Sequence, residues 1–355
     1  MVFETFLIQS SGDSQLGESD SLLRVCNLKL DFHTYAGEVK ALNGVTFAIK
    51  RGEALGLVGE SGCGKSVTAL TIVRLLPDNA TVTDGMIALL GRDLLKTPDN
   101  EMRKIRAEQV AMVFQDPTTF LNPVLTIGQQ LEEVFQLSPE RDKAHSEVRH
   151  KLTKTSKAER KDLCIEALRQ VKLPDPQRIL KQYPHELSGG MRQRCMIAMA
   201  LARNPDLFIA DEITTALDVT IQAQILELLR DLKRDFHGST LLITHDLGVV
   251  AKLCSRVAVM YAGNVVELAN VRELFAKPLH PYTQGLMKAV PMLGSVGRLE
   301  TIPGSVPDLI RPPSGCRFHP RCPHALEKCS LVKPELLDTT EGHTVACHLC
   351  GEERT

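Results

Sequence analysis

The stretch Gly59-Glu-Ser-Gly-Cys-Gly-Lys-Ser66 fits G-x-x-x-x-G-K-S and follows the apolar run Ala54 to Val58. An apolar run entering such a segment reads as a buried strand that turns into a phosphate-binding loop. The next residues, Val67 to Leu76, suit a helix, so the loop opens a helix whose first N–H groups and positive dipole end face an anion. Gly59, Glu60, Ser61, Gly62, Cys63 and Gly64 form the cradle, with three glycines letting the backbone close on phosphate oxygens that a Cβ would obstruct. Lys65 then reaches the β/γ-phosphates and Ser66 ligates Mg²⁺. The alternative is a glycine-rich turn that merely precedes a helix; the complete match in a strand–loop–helix context favours the nucleotide.

Composition narrows the remaining classes. The 355 residues exceed the usual size of one core, which predicts a large domain and a smaller one. A net charge of −1, no Trp and 4% aromatic residues remove the electrostatic and stacking arguments for nucleic acid. Charges interrupt each apolar run before the eighteen or so residues of a membrane-spanning helix; Leu241 to Tyr261, for example, contains His245, Asp246, Lys252 and Arg256. Membrane association is therefore expected to be peripheral, through partners. The N-terminal residues carry no basic n-region followed by an apolar segment, which points to the cytoplasm.

Outward from the loop, residues 1 to about 20 are polar and turn-rich and read as a tail. Alternation over Leu22 to Leu30 and Val45 to Ile49 predicts an antiparallel sheet, with Tyr35 in a polar turn between them. Gly85 to Gly91 reads as a further strand, Met102 to Arg106 as the start of a helix, and Val110 to Phe114 as a buried strand delivering Gln115 into a Pro-marked turn. From Ile127 to about Tyr183 the pattern is helical and charged, predicting an inserted helical subdomain with an exposed basic hairpin at Lys143 to Lys161. Ser188-Gly189-Gly190 then begins an Ala- and Met-rich helix with a capping hydroxyl and unobstructed N–H groups, again an anion-binding arrangement. The apolar strand Leu207 to Ala210 ends in Asp211-Glu212, which sets two carboxylates on the ligand-binding edge of a parallel sheet. Thr240 to His245 is another buried strand ending in polar residues, and Val257 to Tyr261 is the last.

Taken in order, these pieces resemble the ATP-binding subunit of an ATP-binding-cassette (ABC) transporter over residues 22 to about 270. They are the Walker A loop Gly59 to Ser66, the Q-loop Gln115, Leu187-Ser-Gly-Gly190, the Walker B end Asp211-Glu212, the D-loop Ala216-Leu217-Asp218 and the switch His245. The resemblance implies an α/β fold with a RecA-like core, an antiparallel β subdomain and an inserted helical subdomain at about 116–185. It also implies the residue roles. Tyr35 would stack on adenine, Asp211 would hold Mg²⁺ through water, and Glu212 would polarise the attacking water. His245 would contact the γ-phosphate, and Gln115 would link the metal site to the membrane partner. Phosphoryl transfer needs this kind of positioned charge more than covalent catalysis. Ser188, Gly189 and Gly190 would serve ATP bound to an opposite subunit, and Asp218 of the D-loop would also be nucleotide-binding. Ile213 departs from the family, which has proline after the glutamate.

The segment from Glu273 to Thr283 leads into Ile302 to Asp308 and Gly315 to Pro323. It looks like the C-terminal extension, here 271–355 and expected to be small, irregular and Cys-rich, of the peptide-transporter subgroup, which includes dipeptide, oligopeptide and nickel importers. That resemblance implies a second, non-identical ATPase subunit, two permease subunits and an extracytoplasmic binding protein, with this chain on the cytoplasmic face of the membrane. It also implies a [4Fe–4S] cluster on Cys316, Cys322, Cys329 and Cys347, thiolates that would staple a Pro-rich segment poor in apolar residues. Zinc is the rival, since Cys347-x-x-Cys350 offers a chelating pair and His319, His324, His343 and His348 lie nearby in sequence; reduced free thiols are the third reading. Cys26, Cys63, Cys164, Cys195 and Cys254 are scattered and read as packing residues. ATP-driven import of peptides is the function implied. An importer of nickel or another small solute, or a soluble ABC ATPase outside transport, is the alternative.

Overall fold

The computed structural model describes residues 21–114, 120–136, 156–213, 218–289, 301–340 and 342–350. Gln115, the D-loop pair Ala216-Leu217, the tail 1–20 and most of the expected basic hairpin fall outside them. The strands are β1 (Ser21–Thr34), β2 (Gly37–Lys50), β3 (Ala54–Val58), β4 (Ala80–Leu89), β5 (Arg92–Asp93), β6 (Val110–Val113), β7 (Leu207–Asp211), β8 (Ser239–Thr244), β9 (Arg256–Tyr261), β10 (Asn264–Asn270), β11 (Leu337–Thr340) and β12 (His343–Val345). The helices are α1 (Lys65–Ile72), α2 (Asp99–Glu108), α3 (Ile127–Gln136), α4 (Lys157–Gln170), α5 (Pro176–Ile179), α6 (Gly189–Leu201), α7 (Val219–Asp235), α8 (Leu247–Leu253), α9 (Val271–Ala276), α10 (Pro281–Lys288) and α11 (Glu327–Leu331).

Two sheets carry the fold. The antiparallel one runs β2-β1-β4-β5; the other runs β11-β12-β10-β9-β3-β8-β7-β6 and is parallel from β9 to β6. The short apolar runs read as buried strands occupy that parallel centre, where both faces are covered and alternation is not required. One core lies between the antiparallel sheet and the β3 face, built from Leu23, Leu42, Leu55, Leu57, Ile72 and Ile243 among others. A second fills the space between the opposite face and helices α3 to α8, with Ile127, Leu168, Ile197, Phe208 and Leu242. The third packs β9 and β10 against α8, α9, α10 and the C-terminal segment through Val259, Tyr261, Tyr282 and Phe318.

The antiparallel strands extend past the alternation, to Thr34 and from Gly37, making one long hairpin with Tyr35 at its tip. The C-terminal segment differs from the irregular extension expected. Its β12 pairs antiparallel with β10 (Glu267 opposite Val345), and β11 pairs with β12, so the hairpin becomes the edge of the main sheet. Its anchor is Glu267, fully buried, which accepts the Leu279 N–H at 2.7 Å, the His280 N–H at 2.9 Å and His343 Nε2–H at 2.8 Å. Among the described residues, no helix is long and apolar enough to cross a membrane.

Candidate functional site: a strand-edge phosphate loop

Strand register assembles the site. Val58 lies opposite Thr244, and Asp211 opposite Ile243, so the loop after β3, the carboxylates ending β7 and His245 after β8 emerge at one edge of the parallel sheet. Ligand sites of such sheets form at the carboxyl ends of the strands.

The loop can be built only with glycine at its tight points. At Gly59 (φ 155°) a Cβ would lie 2.2 Å from the Met260 carbonyl oxygen. Gly64 caps α1 from the left-handed region, φ 105°, with Leu42 and Ala41 against it. Lys65 is buried, and its Nζ donates to the carbonyls of Gly59 at 2.9 Å and Glu60 at 3.1 Å while lying 3.7 Å from Glu212 Oε1. Burial pushes the Cys63 thiol up, which suits a packing residue, and Gly263 donates its N–H to the Cys63 carbonyl at 2.8 Å.

Ser66 Oγ donates to Asp211 Oδ1 at 3.0 Å, joining two motifs 145 residues apart. Burial raises the Asp211 carboxyl to about 6; the Ser66 hydrogen bond opposes the rise, the Glu212 carboxylate adds to it and the Lys65 ammonium opposes it. A carboxyl so destabilised as an anion, beside a serine hydroxyl, fits a divalent cation whose charge would restore the ionised form. Glu212 sits at φ +46° and donates its N–H to the Ile243 carbonyl at 2.9 Å. Its Oε2 is 3.7 Å from His245 Nδ1. Ile213 is buried in the helix-side core, so the family's missing proline is replaced by an apolar anchor.

The other predicted residues are placed separately. Ser188 caps α6, its hydroxyl accepting the Met191 N–H at 3.3 Å; Ser188 and Gly189 are exposed and Gly190 is buried. Asp218 caps α7, accepting the N–H groups of Thr220 and Ile221 at 3.0 Å each. Tyr35 stands fully exposed at the hairpin tip. Gln115 lies outside the described residues.

Sequence reasoning missed the outer wall of the loop. Tyr282 Oη accepts the Glu60 N–H at 3.0 Å, and Arg321 forks the Glu60 carboxylate at 2.8 and 3.2 Å. Separations of 222 and 261 residues leave no local spacing from which to find these pairs.

The cysteine expectation meets a different arrangement. Cys316 lies within electrostatic reach of Cys322, Cys329 and Cys347, but among the described residues no three His, Cys, Asp or Glu are grouped to hold a metal ion. Cys347 is nearest in effect to Cys350, which together with burial pushes its thiol up, and it also acts on Cys316 and Cys322. The imidazoles offered for zinc are largely engaged: His319 Nδ1 with the Cys316 carbonyl at 2.9 Å, His343 with Glu267, and His348 Nε2 with the Val332 carbonyl at 2.9 Å.

A phosphate loop, an adjoining serine–aspartate pair and a glutamate–histidine pair at one sheet edge define a P-loop nucleotide-hydrolysing ATPase. The ABC transporter family model matches residues 42–215, the model of the oligopeptide/dipeptide transporter C-terminal region matches residues 266–329, and the chain belongs to the ATP-binding proteins of ABC transporters. It is 51% identical over 338 residues to a probable peptide ABC transporter ATP-binding protein of Sinorhizobium fredii, covering 94% of this chain and 97% of the relative. It is 49% identical over 337 residues to the oligopeptide transport ATP-binding protein OppD of Escherichia coli, covering 95% of each. Among solved structures it resembles a dimeric ATP-binding cassette in a post-hydrolysis state bound to ADP and Pi. That likeness has a TM-score of 0.60 and 28% identity, over 70% of this chain and 99% of that one.

Proposed function

We infer that this chain hydrolyses ATP to power import of di- and oligopeptides through permease subunits. One observation carries the reading: β3, β7 and β8 bring Lys65, Ser66, Asp211, Glu212 and His245 together at the end of a glycine-rich loop. The peptide class is supported by the C-terminal match and by the names of the relatives. Residues 21–270, with the helical insertion at about 116–185, act as the ATPase domain, and 271–355 as the extension.

Each residue has a chemical task. The N–H groups of the loop and Lys65 neutralise and orient the β- and γ-phosphates. Ser66 and Asp211 would hold Mg²⁺, which would supply neutralisation of phosphate charge. Glu212 orients the attacking water and accepts hydrogen-bond character from it, with His245 beside it facing the γ-phosphate. Gln115 completes the metal side, and Tyr35, exposed at its hairpin tip, is available to adenine. Ser188 and Gly189 at the exposed start of α6, with the buried Gly190 behind them, and Asp218 at the exposed start of α7 would serve a second ATPase subunit, a different chain in this reading, so hydrolysis needs the paired assembly. Two permeases and an extracytoplasmic binding protein complete the complex, with this subunit at the cytoplasmic face.

The four cysteines form part of the same proposal. Their crowding in the sequence and the electrostatic reach of Cys316 to the other three support a [4Fe–4S] staple, for which the four sulfurs would have to draw together; iron and sulfide counted in an anaerobic preparation test it, and zinc alone, or neither, rejects it. The function itself is tested by reconstituting the complex in liposomes with its binding protein. Peptide-stimulated phosphate release with uptake of labelled peptide is expected. Stimulation by nickel or another solute and not by peptide, or co-purification with ribosomes in place of permeases, would overturn the reading.

A further inference from the structure

The C-terminal segment reaches the phosphate loop from two sides. On one side Tyr282, wholly buried near the start of α10, receives the Glu60 N–H on its hydroxyl. Burial raises that phenol above its ordinary value, so it stays a neutral hydroxyl able to accept. Arg321 grips the Glu60 side chain with both terminal nitrogens and is itself fixed by the Pro303 carbonyl (2.9 Å), the Ile302 carbonyl (3.2 Å) and Tyr261, whose ring its guanidinium faces at 5.8 Å. On the other side Arg317, also buried, donates to the carbonyls of Lys40 at 2.9 Å and Ala262 at 2.6 Å. Ala262 precedes Gly263, whose N–H holds the Cys63 carbonyl. Two arginines four positions apart thus brace the loop at Glu60 directly and at Cys63 through one turn.

A bidentate guanidinium–carboxylate pair fixes both the distance and the plane of the carboxylate, and a buried hydroxyl fixes the adjoining peptide. Together they define where Glu60 points, and so how the following N–H groups of Ser61 to Ser66 are aimed. A loop aimed before the ligand arrives loses less freedom on binding.

We propose that Arg321 and Tyr282 are positioning residues of the nucleotide site, holding the phosphate loop through Glu60 so that the C-terminal segment sets the affinity of this subunit for ATP. The inference rests on the loop being the ATP site. It makes the segment a working part of the ATPase, in cis, and predicts a signature in KM more than in kcat.

The test is steady-state ATPase of the assembled complex carrying Arg321→Gln, Arg321→Lys, Tyr282→Phe or Glu60→Gln, and the Glu60→Gln/Arg321→Gln pair. Arg321→Gln is expected to raise KM for ATP about tenfold with kcat within roughly twofold. Arg321→Lys, keeping the charge but losing the fork, should rescue part of this. Tyr282→Phe preserves volume and should raise KM about threefold while leaving thermal unfolding near wild type. The double variant should be no worse than the poorer single one, because both remove the same interaction. Wild-type KM in both Arg321→Gln and Tyr282→Phe, or additive effects of Glu60→Gln and Arg321→Gln, would overturn the inference while the active wild-type complex left the ATPase reading intact. A wild-type complex without ATPase activity would overturn that reading and this inference with it.

Discussion

Glu267→Ala tests how the C-terminal segment is joined to the sheet. The carboxylate is fully buried on β10 and accepts three hydrogen bonds, two from the backbone entering α10 and one from His343 on β12. Alanine leaves the Leu279 and His280 N–H groups buried without their acceptor, at about 1–3 kcal/mol each, and adds a cavity where the side chain stood. The sum is roughly 3–6 kcal/mol against docking of the segment. Glu267→Gln keeps the shape and one acceptor oxygen but presents an amide to a donor, so its cost should be about half as large. Urea unfolding followed by intrinsic fluorescence and by proteolysis of the segment would measure both variants. Losses within about 0.5 kcal/mol of wild type for Glu267→Ala would refute the account, because a surface change gives as little.

Two further expectations follow from the same geometry. Burial depresses His280 from 6.5 to about 3 while its Nδ1 accepts the Tyr282 N–H, so the folded state holds it neutral. Because the folded value lies below the unfolded one, its contribution is fully present above about pH 6.5. It is lost as pH falls toward 3, up to on the order of 4 kcal/mol; His280→Asn, which keeps an acceptor without titrating, should flatten the acid limb of a stability–pH curve, and an unchanged limb would contradict this. Gly59→Ala places a Cβ against the Met260 carbonyl oxygen, so the loop must shift at about 1–3 kcal/mol. Equilibrium binding of a fluorescent ATP analogue should weaken roughly 5- to 150-fold, and undiminished affinity would argue against the loop conformation.

The readable parts of this chain were those in which local pattern and tertiary role coincide. The runs at 54–58, 110–113, 207–211 and 239–244 are largely apolar because parallel strands are covered on both faces, and those at 207–211 and 239–244 end in polar residues at the edge where the candidate site lies. The hairpin of β1 and β2 outruns its apolar alternation because the backbone register continues through polar pairs such as Asp31 opposite Lys40 and His33 opposite Glu38. The β10–β12–β11 edge went unread: Leu337-Asp-Thr-Thr340 has no alternation, and its pairing depends on β10 some seventy residues earlier. Equally invisible were Tyr282 and Arg321, whose residue types suit many roles until the fold places Glu60 between them. The crowding of cysteines is evident in the sequence, but whether they group into a metal site depends on the fold, and among the described residues no such group forms.

Glu212→Gln offers the most direct measurement of the central claim, that the carboxylate beside His245 drives hydrolysis of a nucleotide held by Lys65. Glutamine retains the volume and one acceptor but cannot take up proton character from water, so ATP should bind as in wild type while turnover falls by about 10²–10⁴-fold. Single-turnover phosphate release, with bound nucleotide measured in the same assembled complex, reads both quantities. Retained ATP with almost no phosphate released is the predicted result; wild-type phosphate release from the variant would contradict it.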